Sequence, residues 1–416
     1  MSRGKLTRNI FWQYGLQLLR YAFPLLLVPY LTRMLGAETY AVYAYVLSFM
    51  GFVQVLADFG FNLYGTKRIV DAGDDRVKAG KVLGTITASR LLLLAILAAA
   101  IVMISLAVPI LAENPLYVIA AYAAMALRCL LPDFVFQGYE NMRPITTRYC
   151  ASKGLTLVMT ILFVHGPEDL LLVALADLAG CLVALVWSYV AVKRLFGVGL
   201  GRAEMSAVIG SLRESAVYCV SNVSSNLFSG FTTFVIGIVI PDRAEISYWS
   251  LSLTVVGAIQ ALYAPISNSL YPHMLRERDV ALVRKFALLA APALAAGTFL
   301  YWCLADWIML VLGGEEFVDG AYVMRMLAPL LPVSFYGILI GWPLLGAMGQ
   351  VRALTASTVV AGVLNVVLTT GIALTGFGSL FSISIIRNIA EVFLLVMRLS
   401  AYFIGKPYSR INCKED

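Results

Sequence analysis

Gln13, Gln17 and Arg20 stand at i, i+4 and i+7 in an otherwise apolar run, QYGLQLLRYAFPLLLVPYL (13–31), and so share one face of a helix. A second stripe, Asn222, Ser225, Asn226 and Ser229, has the spacing i, i+3, i+4 and i+7. Lipid offers no hydrogen-bond partners, so such seams must face protein or a water-filled cavity. Arg20 is the costliest member, at about 2.5–3.5 kcal/mol for an arginine at the centre of a membrane helix. Two chemistries fit. The seams can join helices through hydrogen bonds of about 0.6 kcal/mol each, or they can line a path for a polar ligand.

Further charges lie in apolar surroundings. Arg325 and Arg398 fall near the ends of their stretches and are expected to snorkel; Arg90, two turns inside, could do the same. Arg128 is about as deep as Arg20, so these two lead the candidates for substrate contact, with Arg90, Gln13, Gln17, Asn222 and Asn226 beside them. Arg387 precedes Glu391 by one turn, a spacing at which an ion pair neutralises both. Asp58, Asp133, Asp177 and Asp306 are the acids within apolar stretches. The first three are candidates for coupling transport to an ion gradient, or else partners of nearby arginines. Several deep arginines suit an anionic ligand, because guanidinium binds phosphate through paired, charge-assisted hydrogen bonds. A lipid diphosphate, with at least two negative charges, would need such partners to cross. On this reading Arg20 pairs with a transported anion.

Other chemistries lack their residues. Cys129, Cys150, Cys181, Cys219, Cys303 and Cys413 contain no Cys-x-x-Cys pair, and most lie in apolar segments, so neither a disulfide framework nor a metal site is expected. His165 and His273 both lie near loops, which argues against a histidine relay. No nucleotide-binding loop and no Ser–His–Asp set is present. Enzyme activity and a cofactor are not expected.

These residues must be held by membrane helices. With 60% hydrophobic and 13% charged residues and a mean hydropathy of +0.84, the chain could not cover a water-facing surface, for which roughly 25% charge is usual. Apolar stretches at 10–33, 40–64, 82–108, 116–138, 148–165, 169–192, 213–240, 246–272, 284–312, 321–345, 352–375 and 380–404 predict an all-α polytopic membrane protein with twelve transmembrane helices.

Basic residues concentrate at the N-terminus and in alternate turns: Arg3, Lys5 and Arg8; Lys67, Arg68, Arg76, Lys78 and Lys81; Arg143, Arg148 and Lys153; Lys193, Arg194, Arg202 and Arg213; Arg276, Arg278, Arg284 and Lys285; Arg352; Lys406, Arg410 and Lys414. The opposite turns carry Arg33 and Arg243. This asymmetry predicts that both termini are cytoplasmic. It also explains the net charge of +7 by anionic lipid rather than nucleic acid. The basic start leads into a long span without a small-residue cleavage site and reads as a retained first helix. The connection 193–215 divides the spans six and six, predicting two lobes, 1–196 and 197–416, around a central cavity.

Several segments resemble the polysaccharide and O-antigen flippase family (Wzx-like), within the wider group of multidrug, oligosaccharidyl-lipid and polysaccharide exporters. They are PYLTRMLGAETYAVYAYV (29–46), DFGFNLYGTKRI (58–69), LPDFVFQGYENMRPIT (131–146) and LGGEEFVDGAYVMRML (312–327), in the family's order. The resemblance implies an alternately open cavity lined by cations. It also implies the cargo, an undecaprenyl-diphosphate-linked oligosaccharide moved from the cytoplasmic to the periplasmic leaflet of the bacterial inner membrane. Gln137, Gly138 and Glu140 fall on its motif positions, as gate or structural residues. Tyr14, Tyr21, Tyr43 and Tyr218 are interfacial anchors, packing residues or platforms for sugar faces.

The partners expected are membrane lipids and the lipid-linked cargo; a polysaccharide polymerase and chain-length regulator are open additions. A drug or cation exporter of the same fold would instead need a cavity dominated by acids. A polymerase or ligase would need a long outer loop, and the turns LGAET, AENP, HGPED, IPDRAE, GGEEFVDG and LTGFGS are all short. A purely structural membrane subunit would need no polar seams.

Overall fold

The computed structural model describes residues 3–226, 231–263, 266, 267, 270, 271, 274, 279–375 and 378–411, with side chains throughout except at 3–11, 217, 218, 220–226 and 405–411. The described residues form no strand. Seven helices are long and apolar enough to cross a membrane, or eight if the bent pair 315–327 and 330–346 is one span. Hydropathy runs smoothly over breaks that the backbone makes, and this is why twelve apolar stretches do not become twelve uniform rods. The chain divides into two compact units, Met1–Val223 and Ser224–Asp416.

The first unit begins with α1 (Arg3–Asp58), which is two helices joined at Gly36, where φ is 68°. The expected outer turn LGAET is therefore one glycine wide. At the other end, Phe59 and Gly60 both take positive φ, 43° and 76°, and the chain re-enters a helix as α2 (Phe61–Ala72). Then come α3 (Arg76–Ala107), α4 (Pro109–Ala112), α5 (Pro115–Cys129), α6 (Asp133–Gly138), α7 (Arg143–Phe163) and α8 (Leu170–Phe196). Asp75 caps α3 by accepting from the backbone of Val77 and Lys78.

The connection that was expected to separate the lobes is instead strapped onto α3. After Gly197 ends α8 in the left-handed region, Gly201 N–H donates to the Gly80 carbonyl at 2.9 Å. A Cβ on Gly84 would overlap the Gly201 carbonyl oxygen. Helix α9 (Met205–Asn226) then joins the first unit through Ser89–Ser211 at 2.8 Å and two Arg68–Glu214 hydrogen bonds of 2.7 Å. The compact division falls between Val223 and Ser224, near the end of α9. Gly84→Ala is expected to cost about 1–3 kcal/mol, the usual range for overpacking; thermal unfolding in detergent would show it, and an unchanged midpoint would mean that the strap is not packed this way.

Close approaches also set α2 against α6. A Cβ on Gly65 would lie 2.6 Å from the Phe134 ring, and one on Gly138 would lie 2.5 Å from Ile69. Thr66 donates to Gln137 Oε1 at 3.1 Å. Glu140 closes the following turn with φ 54°. The motif around Gln137, Gly138 and Glu140 thereby has a physical role: it seats a short helix where side chains would not fit.

The second unit contains α10 (Thr232–Val239), α11 (Arg243–Ala261), α12 (Val280–Cys303), α13 (Ala305–Gly313), α14 (Ala321–Leu327), α15 (Leu330–Leu339), α16 (Val351–Leu374) and α17 (Leu380–Ile411). A π-helical segment, Ile340–Gly346, containing Pro343, follows α15. Buried polar pairs hold its helices: Asn365 donates to Thr232 at 2.9 Å and Trp249 to Thr233 at 3.2 Å.

Candidate functional site

The charged groups of the first unit meet where α7 packs antiparallel on α8. On α7 the row Arg148, Ser152, Thr156, Thr160 repeats every four residues and is buried throughout. It lies against small residues of α8: Ser152 Oγ donates to the Gly180 carbonyl at 2.7 Å. A Cβ on Gly180 would stand 2.7 Å from the Ser152 carbonyl. This close approach lets the neighbouring polar side chains reach across.

One cluster is centred on Asp177 of α8. Arg128, from the end of α5, donates to Asp177 Oδ2 at 2.7 Å, and Lys153 of α7 donates to Oδ1 at 2.5 Å. All three side chains are 20–29% exposed. One carboxylate therefore serves two cations. Tyr43 and Tyr117 lie within its electrostatic reach.

A second cluster surrounds the break after α1. Arg148 grips Asp133 with two hydrogen bonds of 2.6 and 3.2 Å, and also donates to Ser188 at 2.9 Å. Arg90 donates to the Leu131 carbonyl at 2.9 Å and to Asn62 at 3.2 Å, and its contact with Asp58 is longer, at 3.5 Å. The rings of Phe61 and Phe134 flank its guanidinium at 6.0 and 5.7 Å.

Arg20 differs from all of these. It is exposed, and among the described residues it has no ion-pair partner. Its helix is fixed to α7 at several points. Thr146 Oγ1 donates to the Trp12 carbonyl at 2.9 Å. Phe23 meets the Tyr149 ring edge-on at 6.3 Å. Tyr30 O–H reaches the Val164 carbonyl at 2.6 Å. Tyr149 in turn lies within electrostatic reach of Arg20, Arg128 and Asp177. Arg20 therefore keeps its positive charge uncompensated among the described residues.

The sequence-predicted residues are distributed unevenly over this site. Arg20 on α1 and Arg128 on α5 both act electrostatically on Tyr149 of α7. Gln13 is exposed and Gln17 half-buried on the same helix as Arg20. Arg90 neither snorkels nor faces water. It is 2% exposed, turned inward because a carbonyl, an amide and a carboxylate are all available there. Asp58, Asp133 and Asp177 each face a cation. Asn222, Asn226 and Tyr218 lie outside the residues whose side chains are described.

Arg387 and Glu391 form an ion pair at 2.7 Å in the second unit. The snorkelling expected of Arg398 gives way to internal partners, whereas Arg325 forms an exposed pair. Arg325 pairs with Asp306 and lies over the Trp302 ring at 5.5 Å. Arg398 donates to the Gly337 carbonyl at 2.6 Å and to Thr358 at 3.0 Å, beside the π-helical segment, where regular helix bonds are broken. Arg148 and Lys153 need the opposite correction: counted as turn residues in the sequence, they lie inside α7 and hold acids. The four-residue repeat of Arg148, Ser152, Thr156 and Thr160 was the available signal.

Charge accounting gives this site its character. Arg20, Arg90, Arg128, Arg148 and Lys153 are five cations; Asp58, Asp133 and Asp177 are three carboxylates. Two positive charges are left over, one on Arg20 and one shared at the Asp177 cluster.

A sequence profile for the family described as "Polysaccharide biosynthesis protein" matches residues 6–277. The chain belongs to this family. Two relatives share its length. A "Putative O-antigen transporter" of Escherichia coli (strain K12) is 24% identical over 352 residues, covering 81% of this chain and 84% of that protein. One of the same description from Shigella dysenteriae is 21% identical, covering 82% and 86%.

Solved structures share the fold. An inward-facing multidrug resistance MATE family transporter of the MOP superfamily superposes with a TM-score of 0.71 at 15% identity, covering 94% of this chain and 96% of that one. The lipid II flippase MurJ in an inward closed conformation does so with 0.68 at 12% identity, covering 95% and 87%. The chain thus shares the fold of these two proteins.

Proposed function

We propose that this protein is a flippase that carries an undecaprenyl-diphosphate-linked oligosaccharide, an O-antigen or related repeat unit, from the cytoplasmic to the periplasmic leaflet. The observation that carries the reading is the pair of uncompensated positive charges of the first unit, one on Arg20 and one at the Asp177 cluster. A diphosphate brings at least two negative charges, which these would match. Gln13, Gln17 and Arg20 cannot face lipid without large cost, so we place them on a water-filled path. The lobes would rock about the bound headgroup, while the polyprenyl tail stays in lipid. The distribution of basic turns supports cytoplasmic termini. The O-antigen transporter relatives support the class of cargo. The drug-exporter reading suits the MATE-like fold, yet an excess of positive charge repels organic cations.

Coupling to a proton gradient is assigned to Asp58. Asp133 and Asp177 are held by direct contacts of 2.5–2.7 Å to their cations, whereas Asp58 has its cation at 3.5 Å and can gain a proton with the least loss of pairing. It also stands next to Phe59 at the helix break, where a change of charge acts on a bend.

The test is flipping in proteoliposomes, read by headgroup accessibility. A fluorescent diphosphate-linked oligosaccharide is expected to cross at least ~10-fold faster than its monophosphate-linked counterpart, because one lost charge-assisted contact is worth about 1.5–3 kcal/mol. Asp58→Asn should abolish stimulation by a pH gradient while leaving exchange without a gradient. Absence of flipping by the native protein under both conditions would sink the proposal, and export of organic cations would move it to the drug-exporter class.

A further inference from the structure

Outside the charged clusters, the first unit carries a groove of about 1150 Å³ between the start of α1, the start of α7 and the second half of α8. One wall is made of two adjacent rows on α8. Leu182, Val186, Val190 and Arg194 follow one another every four residues, with Val183 and Trp187 beside them, so each row is a continuous ridge. The apolar members are exposed, from 41% at Val183 to 57% at Val186. At the foot of the groove stand two exposed arginines, Arg194 and Arg143. Among the described residues neither has an acidic partner. Arg143 is held over the Trp12 ring at 5.8 Å.

The dimensions and the charges point to the same occupant. From Leu182 to Arg194 a helix rises about 18 Å, close to the depth of one leaflet of a hydrocarbon core of about 30 Å. A groove one leaflet deep, apolar along its length and doubly cationic at one end, is complementary to a phospholipid with an anionic head. Basic pockets between membrane helices bind such heads. A polyprenyl chain, far longer than one leaflet, would leave most of its length outside.

The geometry points to a binding site for an anionic phospholipid of the cytoplasmic leaflet, its phosphate between Arg143 and Arg194 and its acyl chains along Val190, Val186 and Leu182. The leaflet assignment rests on the orientation adopted under Proposed function; the binding itself does not. Through α7, which carries Arg143 at its start and Lys153 and Arg148 further along, the lipid would brace the helix that organises both charged clusters.

The chain has six tryptophans, and Trp187 lines the groove, so its fluorescence reports occupancy directly. The full chain is placed in nanodiscs containing brominated phosphatidylglycerol or brominated phosphatidylcholine, with Trp187→Phe isolating the groove signal. The expected result is about a 30-fold preference of the Trp187 signal for the anionic lipid, from two surface cations. An Arg143→Gln/Arg194→Gln double variant, with unchanged circular dichroism, should abolish that preference.

Equal quenching by the two lipids in the native protein overturns the proposal. So does displacement of brominated phosphatidylglycerol by a stoichiometric polyprenyl diphosphate, which would make the groove a cargo site. Efficient cross-linking between copies through a cysteine placed at Val186 would make it a subunit interface, with the same consequence. None of these readings depends on flipping. A protein that fails to flip but prefers the anionic lipid keeps this site, and a flipping protein without the preference loses it.

Discussion

Asp177→Asn is expected to lower stability by about 3–5 kcal/mol, the cost of leaving buried charge without its partner. The carboxylate receives Arg128 at 2.7 Å and Lys153 at 2.5 Å, so its loss strands two half-buried cations from two different helices. The neutral amide can accept from one of them without compensating either charge. Lys153→Met should behave quite differently. It leaves a neutral Arg128–Asp177 pair, and the methionine stem fills much of the lysine's volume, so the change should stay within about 1 kcal/mol, as for other near-isosteric replacements. Unfolding in mixed detergent measures both. If Asp177→Asn were as stable as the native chain, the cluster would hold water or lipid phosphate in place of the ion pairs described. Lys153→Met also removes one of the two excess positive charges, so it should slow flipping of a diphosphate cargo while remaining folded. Stability and transport separate at that position.

Arg20→Ala carries the second large effect. Its side chain is exposed and without an ion-pair partner among the described residues, so removal should leave the unfolding transition within about 1 kcal/mol of native, as for ordinary surface substitutions. Flipping should fall by roughly 10- to 100-fold, because a charge-assisted hydrogen bond to phosphate contributes about 1.5–3 kcal/mol. Arg20→Lys should recover part of this rate, since it keeps the charge and loses the paired, planar geometry. Arg20→Gln should recover little. A folded Arg20→Ala protein with native flipping would remove the cargo role from this residue. It would leave the seam as a structural feature of α1.

The relation of Arg20 to Arg128 shows why local spacing was an incomplete guide. Both are deep arginines in apolar stretches, and by sequence they are equivalent. In the structure Arg128 shares a carboxylate from a residue 49 positions away, while Arg20, on a helix pinned to α7 by Phe23 and Tyr30, remains uncompensated. Arg90 is similar in sequence and different again, enclosed by Phe61 and Phe134. The energetic consequence of an arginine depends on what the neighbouring helix presents at the same depth, and hydropathy carries no information about that.

Residue types and short-range spacing were enough for several conclusions. The apolar composition and repeated long stretches established a polytopic helical membrane protein, because nothing else buries so little charge. The motifs from 29 to 146 indicated the family that the profile match then showed. The Arg387–Glu391 pair was legible because both residues sit on one helix, one turn apart. The polar face of α1 was legible for the same reason.

Tertiary structure alone decided the remainder. Arg148 and Lys153, read as turn residues, became the cations of one buried and one half-buried cluster once α7 began at Arg143. Glycine at 180, 65 and 138 chose which helices approach closely, and so which side chains can meet across them. Pairings over tens of residues depend on the rotation of each helix about its axis and on its depth relative to its neighbour, and those are set by packing over the whole length of both. A linear sequence specifies the faces of each helix; only the packed unit specifies which faces touch.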